Sequence, residues 1–189
     1  MSESPIKPIH VLGFSGSLRK ASFNTAALRA AREVLPDDMT METFDLSGFP
    51  LYNEDVREQG FPEIVLQFGA RIAAADALLI ATPEYNYSIP GVLKNAIDWA
   101  SRLPEKPLNE KPLAIMGASN GNYGTARAQY HLRQACVFNN MHPINKPEVL
   151  ITRAQEKFDA EGKLTDQSTR DVIRKMLESL AVWTRRLKN

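Results

Sequence analysis

Three short stretches concentrate groups able to bind a ligand or do chemistry. The first is Gly13-Phe-Ser-Gly-Ser-Leu-Arg-Lys-Ala-Ser-Phe-Asn-Thr25, where Ser15, Ser17, Arg19, Ser22, Asn24 and Thr25 crowd the step from an apolar run into a helical one. Hydroxyls and unpaired backbone N–H groups at a helix start form a receptor for a dianionic phosphate. One such residue is enough to cap a helix. The surplus therefore points to a ligand, with a hydroxyl-rich N-cap as the plain alternative. The second stretch is Thr82-Pro-Glu-Tyr-Asn-Tyr-Ser-Ile-Pro-Gly91. It can present backbone donors and acceptors to a flat heterocycle beside an aromatic ring; an ordinary turn with two half-exposed tyrosines has the same composition. The third is Gly117-Ala-Ser-Asn-Gly-Asn-Tyr-Gly-Thr125, whose glycines permit close backbone approach.

Several rival chemistries fail on spacing. A dinucleotide fingerprint needs G-x-G-x-x-G, but the first stretch has only Gly13 and Gly16, followed by bulky Leu18 and Arg19. A triphosphate loop needs Gly-Lys-Ser/Thr four residues after a glycine, and no such run occurs. Gly117-Ala-Ser119-Asn-Gly121 matches the nucleophile elbow of a hydrolase. That fold requires an acid and then a histidine after the serine; no Asp or Glu lies between Ser119 and His142, and no histidine follows. Cys136 has no arginine five to seven residues later, which argues against a cysteine phosphatase. His131 and His142 lack the spacing of a helical zinc pair, and no metal site is expected.

The elements that must position these stretches alternate. Apolar runs at Ile9–Phe14, Thr40–Leu46, Ala77–Ala81, Leu113–Met116 and Ile144–Ile151 read as strands. Between and after them, Asn24–Leu35, Pro62–Ala75, Pro90–Leu103, Tyr123–Phe138 and Thr165–Leu187 read as helices. This order predicts an α/β fold, a flavodoxin-like three-layer sandwich. Its parallel sheet has five strands in the order 2-1-3-4-5, with helices on both faces. Ligands of such sheets sit beyond the carboxyl ends of the strands. The three chemistry-rich stretches follow the first, third and fourth strands.

A chain of 189 residues with 43% apolar content suits one domain, expected over residues 9–189 after a disordered tail at residues 1–8. The formal charge is +1, from 23 basic and 22 acidic residues, which gives no electrostatic case for nucleic acid or an anionic membrane. No apolar run approaches the roughly 18 residues of a membrane helix. A lone cysteine fits the reducing cytoplasm, and a disulfide-free periplasmic protein would look the same.

Three runs resemble a known family. Gly-Ser-Leu-Arg-Lys-Ala-Ser-Phe-Asn (16–24), Pro-Glu-Tyr-Asn-Tyr-Ser-Ile-Pro-Gly (83–91) and Lys-Asn-Ala-Ile-Asp-Trp (94–99) are similar to the NADPH-dependent FMN reductases. Within that family they resemble the bacterial quinone and chromate reductase branch. The resemblance implies bound FMN and reduction of quinones, free flavin, azo compounds or metal oxyanions by NADPH or NADH. It implies phosphate and ribityl contacts from Ser15, Ser17, Leu18, Arg19, Ser22, Asn24 and Thr25. Pro83, Glu84, Tyr85 and Asn86 would flank the isoalloxazine, and Ser119 and Gly121 would approach its other edge. The flavin would carry the chemistry, so no catalytic side chain is expected. Homodimers or homotetramers are also implied, with Leu93, Ile97, Trp99, Arg127, Tyr130 and Glu148 as interface candidates against a plain solvated face. For a 2′-phosphate on the donor, Arg19 and Lys20 are candidates, with Arg102 behind them. The rival function is an electron carrier or a non-catalytic flavin-binding protein; carriers of that kind are strongly acidic, and this chain is not.

Overall fold

A computed structural model describes residues 7–188. Of the expected tail, only Lys7 and Pro8 fall within them. The central strands form because they are apolar on both faces. In β1 (Ile9–Ser15) all residues but His10 are buried, and β3 (Ala77–Ala81) and β4 (Pro112–Ala118) are buried throughout. Such continuous apolar runs belong to parallel sheets covered on both sides. With β2 (Met39–Phe44) the order is β2-β1-β3-β4, all parallel, and the next position is shared by two short strands. These are β5 (His142–Pro143) and β6 (Val149–Ile151), both parallel partners of β4. The sequence led us to expect one strand from Ile144 to Ile151. Instead the polar run through Asn145 and Lys146 leaves the ladder before Pro147, which has no N–H to donate.

Side chains alternate between two cores. On one face Val11, Leu79 and Met116 pack under α1 (Phe23–Glu33) and α6 (Gln167–Lys188). On the other, Leu12, Phe14, Leu78 and Ile80 meet residues of α3 (Glu63–Ala74), α4 (Gly91–Ala100) and α5 (Ala126–Cys136). A short helix of five residues leaves no signal in the sequence: α2 (Glu54–Glu58), capped by Asn53, buries no residue and is too short to show a periodic face. Among the described residues no helix is long and apolar enough to cross a membrane.

Three of the interface candidates are core residues. Leu93, Ile97 and Trp99 are buried, and the Trp99 indole N–H donates to the Pro50 carbonyl at 2.9 Å. The stripe they form on α4 faces the sheet and the connection after β2, so it cannot meet a second subunit. Asp98, on the outer face, pairs with Lys94 one turn away.

Gly117 shows how tightly the carboxyl edge is packed. A Cβ there would lie 1.8 Å from Thr125 Oγ1 and 2.3 Å from the Thr82 carbonyl oxygen. We expect Gly117→Ala to cost about 2–3 kcal/mol, or roughly 4–12 °C in Tm, by overpacking. Gly16→Ala, whose nearest neighbours are side-chain carbons at 3.3 Å, is the milder comparison. Differential scanning calorimetry of the two variants checks this; equal Tm values would contradict it.

Candidate functional site

The registers Ser15–Ala81 and Ala81–Met116 bring the carboxyl ends of β1, β3 and β4 level. The three chemistry-rich loops therefore leave the sheet side by side. The first loop is built by its own hydroxyls. Ser15 Oγ accepts from the Ser17 amide at 3.2 Å, and Ser17 Oγ from the Arg19 amide at 3.4 Å. Ser22 is the N-cap of α1, its Oγ accepting from the Asn24 and Thr25 amides at 3.2 and 3.3 Å. Asn24 is buried, and its carboxamide donates to the Ala118 carbonyl at 3.0 Å and accepts from the Ala118 amide at 2.8 Å. The side chains of Ser22 and Asn24 are thus committed to the scaffold.

The remainder faces open space. Ser15, Ser17, Leu18, Arg19 and Thr25 line a cavity of about 460 Å³ between this loop and Thr43–Ser47. The amides of Leu18, Lys20 and Ala21 donate to no acceptor among the described residues. The first turn of α1 carries no acidic residue, so nothing on the helix itself offsets the positive field at its N-terminus. Arg19, Lys20 and Arg29 surround the loop, and none has an acidic partner within 4.0 Å among the described residues. Arg29 was not picked out from the sequence; its only signal is a position one turn after Thr25 on the same helical face.

The second loop is a two-residue hairpin. Tyr85 and Ser88 exchange both backbone hydrogen bonds at 3.0 Å, and Asn86 and Tyr87 take φ values of 49° and 65°. Left-handed backbone at both central positions is the I′ turn; Asn tolerates it, whereas Tyr needs support. That support comes from Arg127, whose guanidinium lies 3.8 Å from the Tyr87 ring centroid and 5.3 Å from that of Tyr123. The Glu84 carboxylate turns inward and accepts from the Arg127 and Ala128 amides at 3.0 and 3.2 Å. It caps α5 from a distance, because Thr125, the N-cap residue, supplies no side-chain bond. Glu84 Oε1 also lies 2.5 Å from Arg127 Nε, off the N–H axis, so this contact is ionic rather than a directed hydrogen bond. Arg127, an interface candidate by sequence, therefore works within the chain. Tyr130 and Glu148 bond to each other at 3.1 Å.

In the third loop the Ser119 hydroxyl accepts from the Gly121 amide at 3.0 Å, and the Ser119 amide donates to Ile151. No histidine approaches Ser119: His10 meets Thr40 and Glu42, His131 meets Ser88, and His142 meets Glu110. Burial pushes the Cys136 thiol up to about 12, so it stays protonated and unreactive. Arg102 lies past the end of α4, at the edge of the sheet opposite the loops, with its guanidinium 5.6 Å from the Tyr52 ring. Loops one and two touch through Gly16, where a Cβ would stand 3.3 Å from Pro83 Cδ.

The sequence profile of NADPH-dependent FMN reductases matches residues 9–156. The chain belongs to this family. It is 60% identical over 180 residues to an NAD(P)H-dependent FMN reductase of Pseudomonas aeruginosa, covering 95% of this chain and 97% of that one. It is 43% identical over 183 residues to the quinone reductase of Escherichia coli, covering 95% and 97% of the two chains. Among solved structures, the flavoenzyme NAD(P)H:(acceptor) oxidoreductase FerB of Paracoccus denitrificans superposes with a TM-score of 0.85 at 32% identity, over 94% of this chain and 98% of FerB. Members of the family are oxidoreductases, which agrees with the absence of a hydrolytic arrangement around Ser119.

Glu84 gives a direct test of how the second loop is held. Glu84→Ala removes an acceptor from two amides and leaves the Arg127 guanidinium without its ionic partner. We expect a loss of about 2–4 kcal/mol in chemical denaturation. A change below about 0.5 kcal/mol would show that the carboxylate does not tie the turn to α5.

Proposed function

We propose that this chain is an NAD(P)H-dependent reductase that holds FMN at the carboxyl edge of its sheet and passes electrons to quinones. The observation that carries the reading is the set of unpaired amides in two adjacent loops. The Leu18, Lys20 and Ala21 amides, with the Ser17 hydroxyl and the N-terminus of α1, suit a dianionic phosphate. The Glu84 and Asn86 amides likewise donate to no acceptor among the described residues, and suit the polar edge of a flat ring. In this reading Ser15, Ser17, Leu18, Arg19 and Thr25 contact the phosphate and ribityl chain. Ser22 and Asn24 hold the loop in shape. Pro83 to Asn86 flank the ring on one side, with Ser119 and Gly121 on another.

Bound FMN would supply the hydride and electron chemistry, accepting from NADPH or NADH and then delivering to an acceptor in the same place, a ping-pong order. The protein's part is placement. The Pro83–Asn86 backbone is stiffened by Arg127 and Glu84, so its N–H dipoles keep one orientation as charge develops beside them. An open carboxyl edge supports a wide choice of oxidants, and we include azo compounds, free flavin and metal oxyanions such as chromate. We place the protein in the cytoplasm, as its single buried cysteine suggests. We also propose a homodimer or homotetramer. Exposed Tyr130, Val137 and Phe138, at 55%, 76% and 76%, support this, and a monomeric mass in sedimentation equilibrium would refute it.

The purified protein is expected to be yellow, to be bleached by NADPH or NADH without oxygen, and to regain colour on addition of a quinone. A protein that binds no FMN contradicts the reading, and a yellow one that neither donor bleaches is a carrier. Ser17→Asp places a carboxylate beside the phosphate and is expected to weaken FMN binding at least tenfold, read by fluorescence titration. Unchanged affinity would put the phosphate elsewhere.

A further inference from the structure

A second cavity, of about 640 Å³, opens on the other side of the first loop. This is within the usual size for a small-molecule site. Arg19, Lys20 and Arg29 line both this cavity and the one beside the phosphate loop, so they stand on the wall between the two. Three cations without an acidic partner among the described residues exceed what one phosphate needs when hydroxyls and amides already serve it. Arg29 gives one long hydrogen bond, from Nη2 to the Gly162 carbonyl at 3.3 Å. Most of its five N–H donors stay free. Gly162 makes that approach possible: it has φ +78°, and a Cβ there would lie 2.9 Å from Arg29 Nη2.

The rest of the lining has a different chemistry. The rings of Phe23 and Phe158 pack 5.2 Å apart at 38°, and Phe23 is half-buried with the cavity before it. Above them the turn at Asp159–Gly162 adds two carboxylates, Asp159 and Glu161. Asp159 Oδ1 is taken by the Lys163 amide at 2.7 Å, whereas Glu161 is exposed. A bare inorganic anion would engage only the three cations and would leave Phe23 and the two carboxylates without a role. A purine bearing a phosphate would not, because its ring can lie on Phe23, its exocyclic amine can donate to a carboxylate, and its phosphate can face the three cations.

We propose that this cavity takes the adenosine 2′-phosphate end of NADPH, and that Lys20 and Arg29, with Arg19, make NADPH the preferred donor over NADH. The proposal rests on the reading that a nicotinamide dinucleotide is the donor. It goes further in giving the donor's distal end its own pocket and in naming the residues that choose between the two dinucleotides.

The test uses the FMN-loaded protein and calorimetric titration with two probes, adenosine 2′,5′-bisphosphate and adenosine 5′-monophosphate. The bisphosphate is expected to bind at least about tenfold more tightly. Arg29→Gln and Lys20→Gln should each remove most of that advantage while leaving the monophosphate nearly unchanged. Phe23→Ala should weaken both probes alike. In steady state, the NADPH to NADH ratio of kcat/KM should fall by about tenfold in Arg29→Gln, measured on protein reconstituted to full FMN occupancy. Equal affinity of the two probes for the parent protein would overturn the assignment. So would an Arg29→Gln variant that keeps the bisphosphate advantage. Failure of the broader reading looks different: a protein that binds the bisphosphate selectively yet is bleached by neither donor keeps this pocket and loses the reductase.

Discussion

The carboxyl edge of this sheet depends on one pair of hydrogen bonds, between the Asn24 carboxamide and the backbone of Ala118. The partners are 94 residues apart, and the two bonds measure 3.0 and 2.8 Å. Ala118 is the last residue of β4, beyond the reach of β3's ladder, and its peptide groups are buried with no strand to satisfy them. Asn24 does so from the first turn of α1, as a short mimic of a strand edge. Leaving either group unpaired would cost about 1–3 kcal/mol. The bonds fix where α1 begins relative to β4. The Ser22 cap sits two residues before Asn24, and the loop from Gly16 to Ala21 must span what remains. Gly117, beside Ala118, admits Thr82 and Thr125 into the same small space.

From this constraint a division of labour follows. Polar side chains that the first loop could have offered to a ligand are partly spent on holding the loop itself. Ser22 caps, Asn24 braces, and Ser15 and Ser17 shape two tight turns. What is left for a ligand is mostly backbone: amides at Leu18, Lys20 and Ala21, and in the next loop at Glu84 and Asn86. Fixed amides are good partners for a phosphate or a reduced ring, because they need no reorganisation when charge arrives. Glu84 follows the same logic. Its charge looks available for proton chemistry, yet two amides of α5 and the Arg127 guanidinium hold it for architecture.

Much of this was legible in the residues. The doubly covered strands announce themselves as unbroken apolar runs, and Ala77–Ala81 was placed to the residue. The hydroxyl-rich step at Ser15–Thr25 announced a helix start, and the alternation of elements implied the strand order. The misses share a cause, which is that they depend on contacts distant in sequence. Leu93, Ile97 and Trp99 look like an exposed apolar stripe until α3 and the Pro50 segment are laid over them. Arg127 looks like a surface charge, because nothing local shows Glu84 and Tyr87 arriving from 40 or so residues earlier. The split of the fifth strand turns on Pro147 at an edge with one neighbour, where the hydrophobic pattern is weak. α2 has no buried residue and so leaves no pattern to read.

The central claim is that the backbone of the first loop grips the cofactor's phosphate. Amide hydrogen exchange followed by NMR, with and without FMN, tests it most directly. The account predicts strong slowing at Leu18, Lys20 and Ala21 on FMN binding, with little change at the already bonded Ser17 and Ser22 amides. FMN binding that leaves those three amides exchanging at their free rates would contradict it.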